Sequence, residues 1–152
     1  MTEHKPYNVL FLCTGNSARS IMAEGYMNTA GAGTWRAFSA GSNPTGKVNP
    51  FAIETLAAHK ISIASPSSKS WNAFADEGAP VMDVVVTVCD NAAGEVCPIW
   101  PTRNGAAPKK LHWSFPDPAA ATGSDAEKRK AFERVFADIR AKIDAFLSDP
   151  AN

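Results

Sequence analysis

No sign of charge prevails in this chain: 15 Lys and Arg balance 15 Asp and Glu over 152 residues. That balance excludes a general attraction to nucleic acid or to an anionic membrane surface. Long hydrophobic runs are missing too. The longest near the start, Val9 to Cys13, is too short for a membrane span or a signal-peptide core. A soluble, cytoplasmic protein is expected. Neither an internal repeat nor a low-complexity tract is visible. Hydrophobic content of 45% and charged content of 20% are ordinary globular values, which argues against wholesale disorder. The length suits one domain with a single core, residues 1–152, and is short for two. Cysteine is scarce and odd in number: three, at Cys13, Cys89 and Cys97. Their spacing is not that of a small secreted disulfide scaffold. In a reducing compartment such thiols are inert core residues, metal ligands or redox groups.

What is present alternates. Tyr7 to Leu12 reads as a buried strand, short and mostly apolar, running into a glycine-containing turn. Ala18 to Ala30 spaces Ile21, Met22, Tyr26 and Ala30 along one helical face. Trp35 to Ala40 is a second strand, closed by the turn Gly41-Ser42-Asn43-Pro44. Asn49-Pro50 opens a helix, with Asn as cap and Pro at the first position. Ser68 to Phe74 holds a shorter one. Val81 to Val88 is β-branched and nearly uninterrupted, hence a central strand covered on both faces. Lys110 to Trp113 is a fourth. Ser124 and Glu127 form a capping box ahead of a long helix with Phe132, Val135, Phe136, Ile139, Ile143, Phe146 and Leu147 on one side. Asp149-Pro150 marks its end. This order predicts a four-stranded parallel sheet in a three-layer, flavodoxin-like α/β fold. In such sheets the site lies beyond the carboxyl ends of the strands, at the switch point between strands one and three.

The first strand ends in Cys13-Thr14-Gly15-Asn16-Ser17-Ala18-Arg19-Ser20. A loop of small residues between strand and helix can wrap its N–H groups around a tetrahedral oxyanion, and the helix N-terminus adds positive potential. Arg19 can grip two oxygens at once through its planar fork. The same field is expected to lower the pKa of Cys13 and favour its thiolate, with Ser20 as a hydrogen-bond donor to the sulfur. A nucleophile inside an anion cradle suits covalent displacement on a phosphate-like ester or acid. Taken alone, Cys13 reads more readily as a buried residue ending a strand, since free Cys is commonly buried.

Two more thiols follow strand three, in Val88-Cys89-Asp90-Asn91 and Cys97-Pro98-Ile99-Trp100-Pro101. A zinc site would need a second pair at ligand spacing, which is lacking, and His59 and His112 are scattered. No metal is expected. Two inert core thiols remain an alternative, although Gly94, Glu95 and Pro98 give Cys97 a loop setting. Strands one and three, as neighbours about 4.8 Å apart, bring Cys13 and Cys89 within reach of a disulfide, whose Cα separation is about 5.5 Å. Cys97 would then be placed to attack Cys89 by thiol exchange. Past strand four stands Phe115-Pro116-Asp117-Pro118, which holds Asp117 in an extended loop. Composition alone makes it a turn residue. Trp71, Trp100 and Trp113 read as packing, and the charges from Glu127 to Arg134 as a solvated face.

The segment from Phe11 to Ser20 resembles the phosphate-binding loop of the low-molecular-weight protein tyrosine phosphatase superfamily. Together with Met22-Ala23-Glu24, Ser39-Ala40-Gly41, Val48-Asn49-Pro50-Phe51-Ala52 and Cys89 to Pro98, it is similar to the thioredoxin-coupled arsenate reductase branch over most of the chain. One departure is the link between Cys89 and Cys97, a residue longer than in the best-known members. The resemblance implies a cytoplasmic, monomeric enzyme of arsenic detoxification that reduces arsenate to arsenite. It implies Cys13 as nucleophile, Cys89 as resolving thiol, Cys97 as shuttle and Asp117 as general acid. Thr14, Gly15, Asn16, Ser17, Ala18, Arg19 and Ser20 would bind the oxyanion. No bound cofactor is implied, only an external thiol reductant: thioredoxin, or glutaredoxin with glutathione. The alternative is a phosphatase hydrolysing phosphate monoesters, which needs only the first cysteine. Aromatic residues usually follow the acid in tyrosine-specific relatives. Ala119-Ala120-Ala121 stand here, which favours a small inorganic substrate.

Overall fold

A computed structural model of the chain describes residues 7–16, 18–61, 68–75, 79–88, 108–118 and 121–148. The elements are β1 (Tyr7–Cys13), α1 (Arg19–Ala30), β2 (Trp35–Gly41), α2 (Pro50–Ala58), a 3-10 turn (Trp71–Phe74), β3 (Val84–Thr87), β4 (Lys109–His112) and α3 (Asp125–Ser148). The strands form one sheet in the order β2-β1-β3-β4, and every pairing is parallel. This is the expected three-layer α/β architecture. Among the described residues, no helix is long and apolar enough to cross a membrane.

Strand alternation sorts the core into two halves. Val9, Phe11, Val84 and Val86 share one cluster with buried residues of all three helices. Leu10, Leu12, Ala40 and Val85 face the other way, onto Phe74 and Met82, with Phe38 and Trp71 packed alongside. α1, α2 and α3 pack against one another; the 3-10 turn contributes Phe74 to the opposite face. The apolar stripe of α3 is buried at Phe132, Val135, Phe136, Ile139, Ile143 and Phe146, as its spacing predicts. Phe146 stacks at 5.1 Å on Trp35 and 5.6 Å on Trp113, which confirms Trp113 as a packing residue.

Several boundaries differ from expectation, each for a local reason. β3 starts at Val84 rather than Val81: Asp83 still donates its N–H to the Asn8 carbonyl at 2.8 Å, but the return bonds of the ladder go through side chains. Asn8 donates its backbone N–H to the Asp83 carboxylate at 2.8 Å and its side-chain amide to the Val81 carbonyl at 2.8 Å. The stretch 68–74 yields only a 3-10 turn, capped where the Ser70 hydroxyl accepts from the Asn72 N–H at 3.1 Å. α1 buries Ser20, Ile21, Met22, Ala23, Gly25 and Met27, a broader surface than one stripe, since β-strands flank it on one side and helices on another. Ala30, at its exposed end, is not part of that surface. The Asn49 side chain does cap α2, accepting from the Phe51 N–H at 2.9 Å. The Ser124 hydroxyl accepts from the Glu127 N–H at 3.3 Å, the forward half of the expected box. The charged face of α3 is exposed but also serves α2: Arg129 pairs with Glu54 at 3.0 Å and Glu133 with His59 at 2.7 Å.

Candidate active site

β1 delivers Cys13 to the carboxyl rim of the sheet, opposite Gly41 of β2. The residue is buried, with 4% of its surface exposed. The turn that follows is held from outside by its carbonyls. The Thr14 carbonyl accepts from the Asn43 N–H at 2.9 Å, and that of Gly15 from the Thr45 N–H at 3.1 Å and the Ser68 hydroxyl at 2.9 Å. In a trans peptide the N–H points opposite to the carbonyl. The N–H groups of Gly15 and Asn16 are therefore turned away from those anchors, as an anion cradle requires. Gly41 closes the loop from behind, with no room for a side chain.

Asn16 adopts φ of +46°, a left-handed conformation that Asn tolerates better than most residues, and it is fully buried. Its side chain is oriented without ambiguity. The Lys69 backbone N–H can only donate, so the atom facing it at 2.8 Å is Oδ1. Nδ2 then donates to the Ser20 hydroxyl at 2.9 Å. Ser20, itself fully buried, accepts there and keeps its single O–H to give elsewhere. That is the capacity the sequence reading asks of it.

Arg19 is the first residue of α1. Its Nη1 donates to the Phe115 carbonyl at 3.0 Å, and its Nη2 lies 3.9 Å from Oδ2 of Asp117. The sheet ladder continues past the strands to make this possible. Val88 donates to the Leu12 carbonyl at 2.9 Å, Trp113 to that of Thr87 at 2.8 Å and Phe115 to that of Val88 at 3.4 Å. The first and third sequence motifs thus meet through one guanidinium. Asp117 keeps 47% of its side-chain surface exposed and Arg19 16%, so the carboxylate is open to an incoming group. Of the predicted site residues, Cys13, Thr14, Gly15, Asn16, Ala18, Arg19, Ser20 and Asp117 fall together. Ser17, Cys89 and Cys97 lie outside the described residues, as does Trp100. Among the described residues, no group of three or more His, Cys, Asp or Glu is arranged to hold a metal ion.

The anchors Asn43, Thr45, Ser68 and Lys69 were not anticipated. Asn43 lies in the turn expected after β2, and Ser68 and Lys69 lie in the stretch expected as a short helix; the latter two reach the loop across 53 positions.

The family model for low molecular weight phosphotyrosine protein phosphatases matches residues 8–151. The chain belongs to that family. Within it, the chain is 39% identical over 138 residues to an arsenate reductase of Halalkalibacterium halodurans, covering 91% of this chain and 93% of that protein. It is 37% identical over the same span to an arsenate reductase of Bacillus subtilis. Among solved structures, an arsenate reductase in the phosphate binding state superposes with a TM-score of 0.72 at 27% identity, over 93% of this chain and 97% of that one.

Proposed function

We propose that this chain is an arsenate reductase working through a covalent adduct and a disulfide relay. What carries the reading is its likeness to arsenate reductases over nine-tenths of its length. The meeting of Cys13, the anchored loop, Arg19 and Asp117 at one rim supports it. Arsenate is tetrahedral and nearly phosphate-sized. The loop amides and Arg19 bind its oxygens, and the Cys13 thiolate attacks arsenic. Asp117 gives its proton to the departing oxygen, which leaves as water. The Cys89 thiolate then attacks the Cys13 sulfur. A sulfur–sulfur bond forms, the sulfur–arsenic pair stays on arsenic, and arsenic(V) becomes arsenic(III), released as arsenite. Cys97 attacks Cys89, Cys13 leaves as thiolate, and a Cys89–Cys97 disulfide remains. An external dithiol, for which we propose thioredoxin, returns the two electrons. No resident cofactor is needed, and a reducing compartment such as the cytoplasm suits the relay.

A phosphatase would use the same Cys13, Arg19 and Asp117 but let water resolve its intermediate. Replacing Cys89 with Ser separates the two. Arsenite formation with a thioredoxin system is expected to stop within one turnover, whereas undiminished multiple turnover, or aryl-phosphate hydrolysis as the dominant activity, overturns the proposal. A mass map after one arsenate turnover is expected to find the Cys89–Cys97 bond. A mixed disulfide with glutathione transfers the reductant's role to that small thiol.

A further inference from the structure

The first residues of the four strands, Tyr7, Trp35, Val84 and Lys109, line one cavity of about 530 Å³. The parallel register puts them on one face of the sheet. Tyr7 stands opposite Trp35, Val84 opposite Lys109, and Val9, two residues on from Tyr7, also opposite Val84. Side chains directly opposite, or two apart along a strand, share a face. That face is the helical one, since Val9 and Val84 belong to the cluster packed with the three helices. Where the strands begin, the helices end. Ala30 closes α1 with Gly31 as its cap, Leu147 is the last residue but one of α3, and all three line the same cavity. Cys13 is six steps along β1 from Tyr7, about 20 Å at 3.3 Å per step, so the proposed chemistry does not use this end.

The lining is neither plain core nor plain surface. The Tyr7 and Trp35 rings lie 5.2 Å apart between centroids, tilted by 41°. Tyr7, 40% exposed, is the one large hydrophobic side chain left exposed among the described residues. Val84 and Leu147 extend this apolar wall, and Asp83 and Lys109 add a carboxylate and an ammonium. The Lys109 N–H donates to the Asp83 carbonyl at 3.0 Å, so the two charges are carried one strand spacing apart. One oxygen of Asp83 accepts from the Asn8 N–H at 2.8 Å, which fixes the carboxylate in place. Aromatic walls with a few placed polar groups, in a volume of roughly 300–1,000 Å³, are the make-up of a small-molecule site. Opposite charges side by side select a ligand of both signs. A singly charged ligand meets one attraction and one repulsion there, a zwitterion two attractions. We propose that this cavity binds a small aromatic zwitterion, an α-amino acid with an aromatic side chain. Its ring packs against Tyr7 and Trp35, its ammonium faces Asp83 and its carboxylate faces Lys109.

The probe is L-phenylalanine, titrated against the full chain and read by ligand-detected NMR. Two analogues each lack one charge: phenethylamine has no carboxylate and 3-phenylpropionate no ammonium. Phenylalanine is expected to bind saturably at millimolar concentration, and each analogue about tenfold more weakly, the worth of a hydrogen bond between charged groups. Lys109→Met is expected to weaken phenylalanine and phenylpropionate about tenfold and phenethylamine not at all. Asp83→Asn, nearly isosteric and still able to accept from the Asn8 N–H, is expected to weaken phenylalanine and phenethylamine and to spare phenylpropionate. Saturating phosphate, a probe of the distant Cys13 loop, should leave the phenylalanine affinity unchanged. Three results overturn the inference: no saturable binding of phenylalanine, equal affinity for all three probes, or displacement of phenylalanine by phosphate. All three are read on the wild-type chain, so the test stands even where a variant fails to fold.

Discussion

Gly41 stands where an added Cβ would lie 2.4 Å from the Thr14 carbonyl oxygen, 2.8 Å from that of Cys13 and 3.0 Å from the Asn16 nitrogen. All three neighbours are backbone, so no side chain can swing aside. Gly41→Ala must displace the loop itself. Because the loop is the proposed anion grip, the expected result is a fall of about 100-fold in arsenate kcat/KM, checked by steady-state assay beside a circular dichroism spectrum that stays native. At this scale the sequence was informative about groups that carry chemistry. Cys13, Arg19 and Asp117 stand out because a thiol, a guanidinium and a proline-flanked carboxylate follow strand ends. The supports were not legible. Asn16 reads as one more small loop residue, and its role depends on Lys69, 53 positions away.

α2 starts where its first residues say it should. Asn49 caps α2 with Pro50 in the first position, so Asn49→Ala removes the acceptor for the Phe51 N–H and is expected to cost about 1 kcal/mol. Urea unfolding would read that loss as a lower midpoint at unchanged slope. Element type was legible for the four strands and the three α-helices described, from the change of period, 2 in strands and 3.6 in helices. Ends were less so, because tertiary contacts decide them. β3 loses its first three expected residues where the Asp83 carboxylate takes the Asn8 N–H and the Asn8 amide bonds the Val81 carbonyl. The 68–74 stretch keeps only a 3-10 turn, since Ser70 bridges to Gly41 and that extended conformation cannot belong to a helix.

For the molecule as a whole, the strand order β2-β1-β3-β4 puts β1 and β3 side by side at the switch point, as alternation of strands and helices implies. That the three helices among the described residues gather into one cluster was not implied. A helical stripe shows that a face is buried, not which side of the sheet receives it. Phe136 is fully buried among α1, α2 and α3, with Tyr26 edge-on at 5.8 Å and the His59 ring at 4.5 Å. Phe136→Ala is expected to cost about 3–5 kcal/mol. Phe74 keeps 7% of its surface exposed against 1% for Phe136, and Phe74→Ala should cost less. Thermal melts of the two variants side by side test the ranking, and a larger loss at Phe74 would contradict it.

All four strands run in the same direction, which gives the molecule a polarity like that of a plug with one live end. The α1–β2 turn sits at the blunt end. There Gly33, at φ of +88°, has nothing within 4 Å of where a Cβ would project. A tether fixed at that turn would leave Cys13 and Asp117 facing outward, which makes the turn the natural handle for immobilising the protein on a sensor surface.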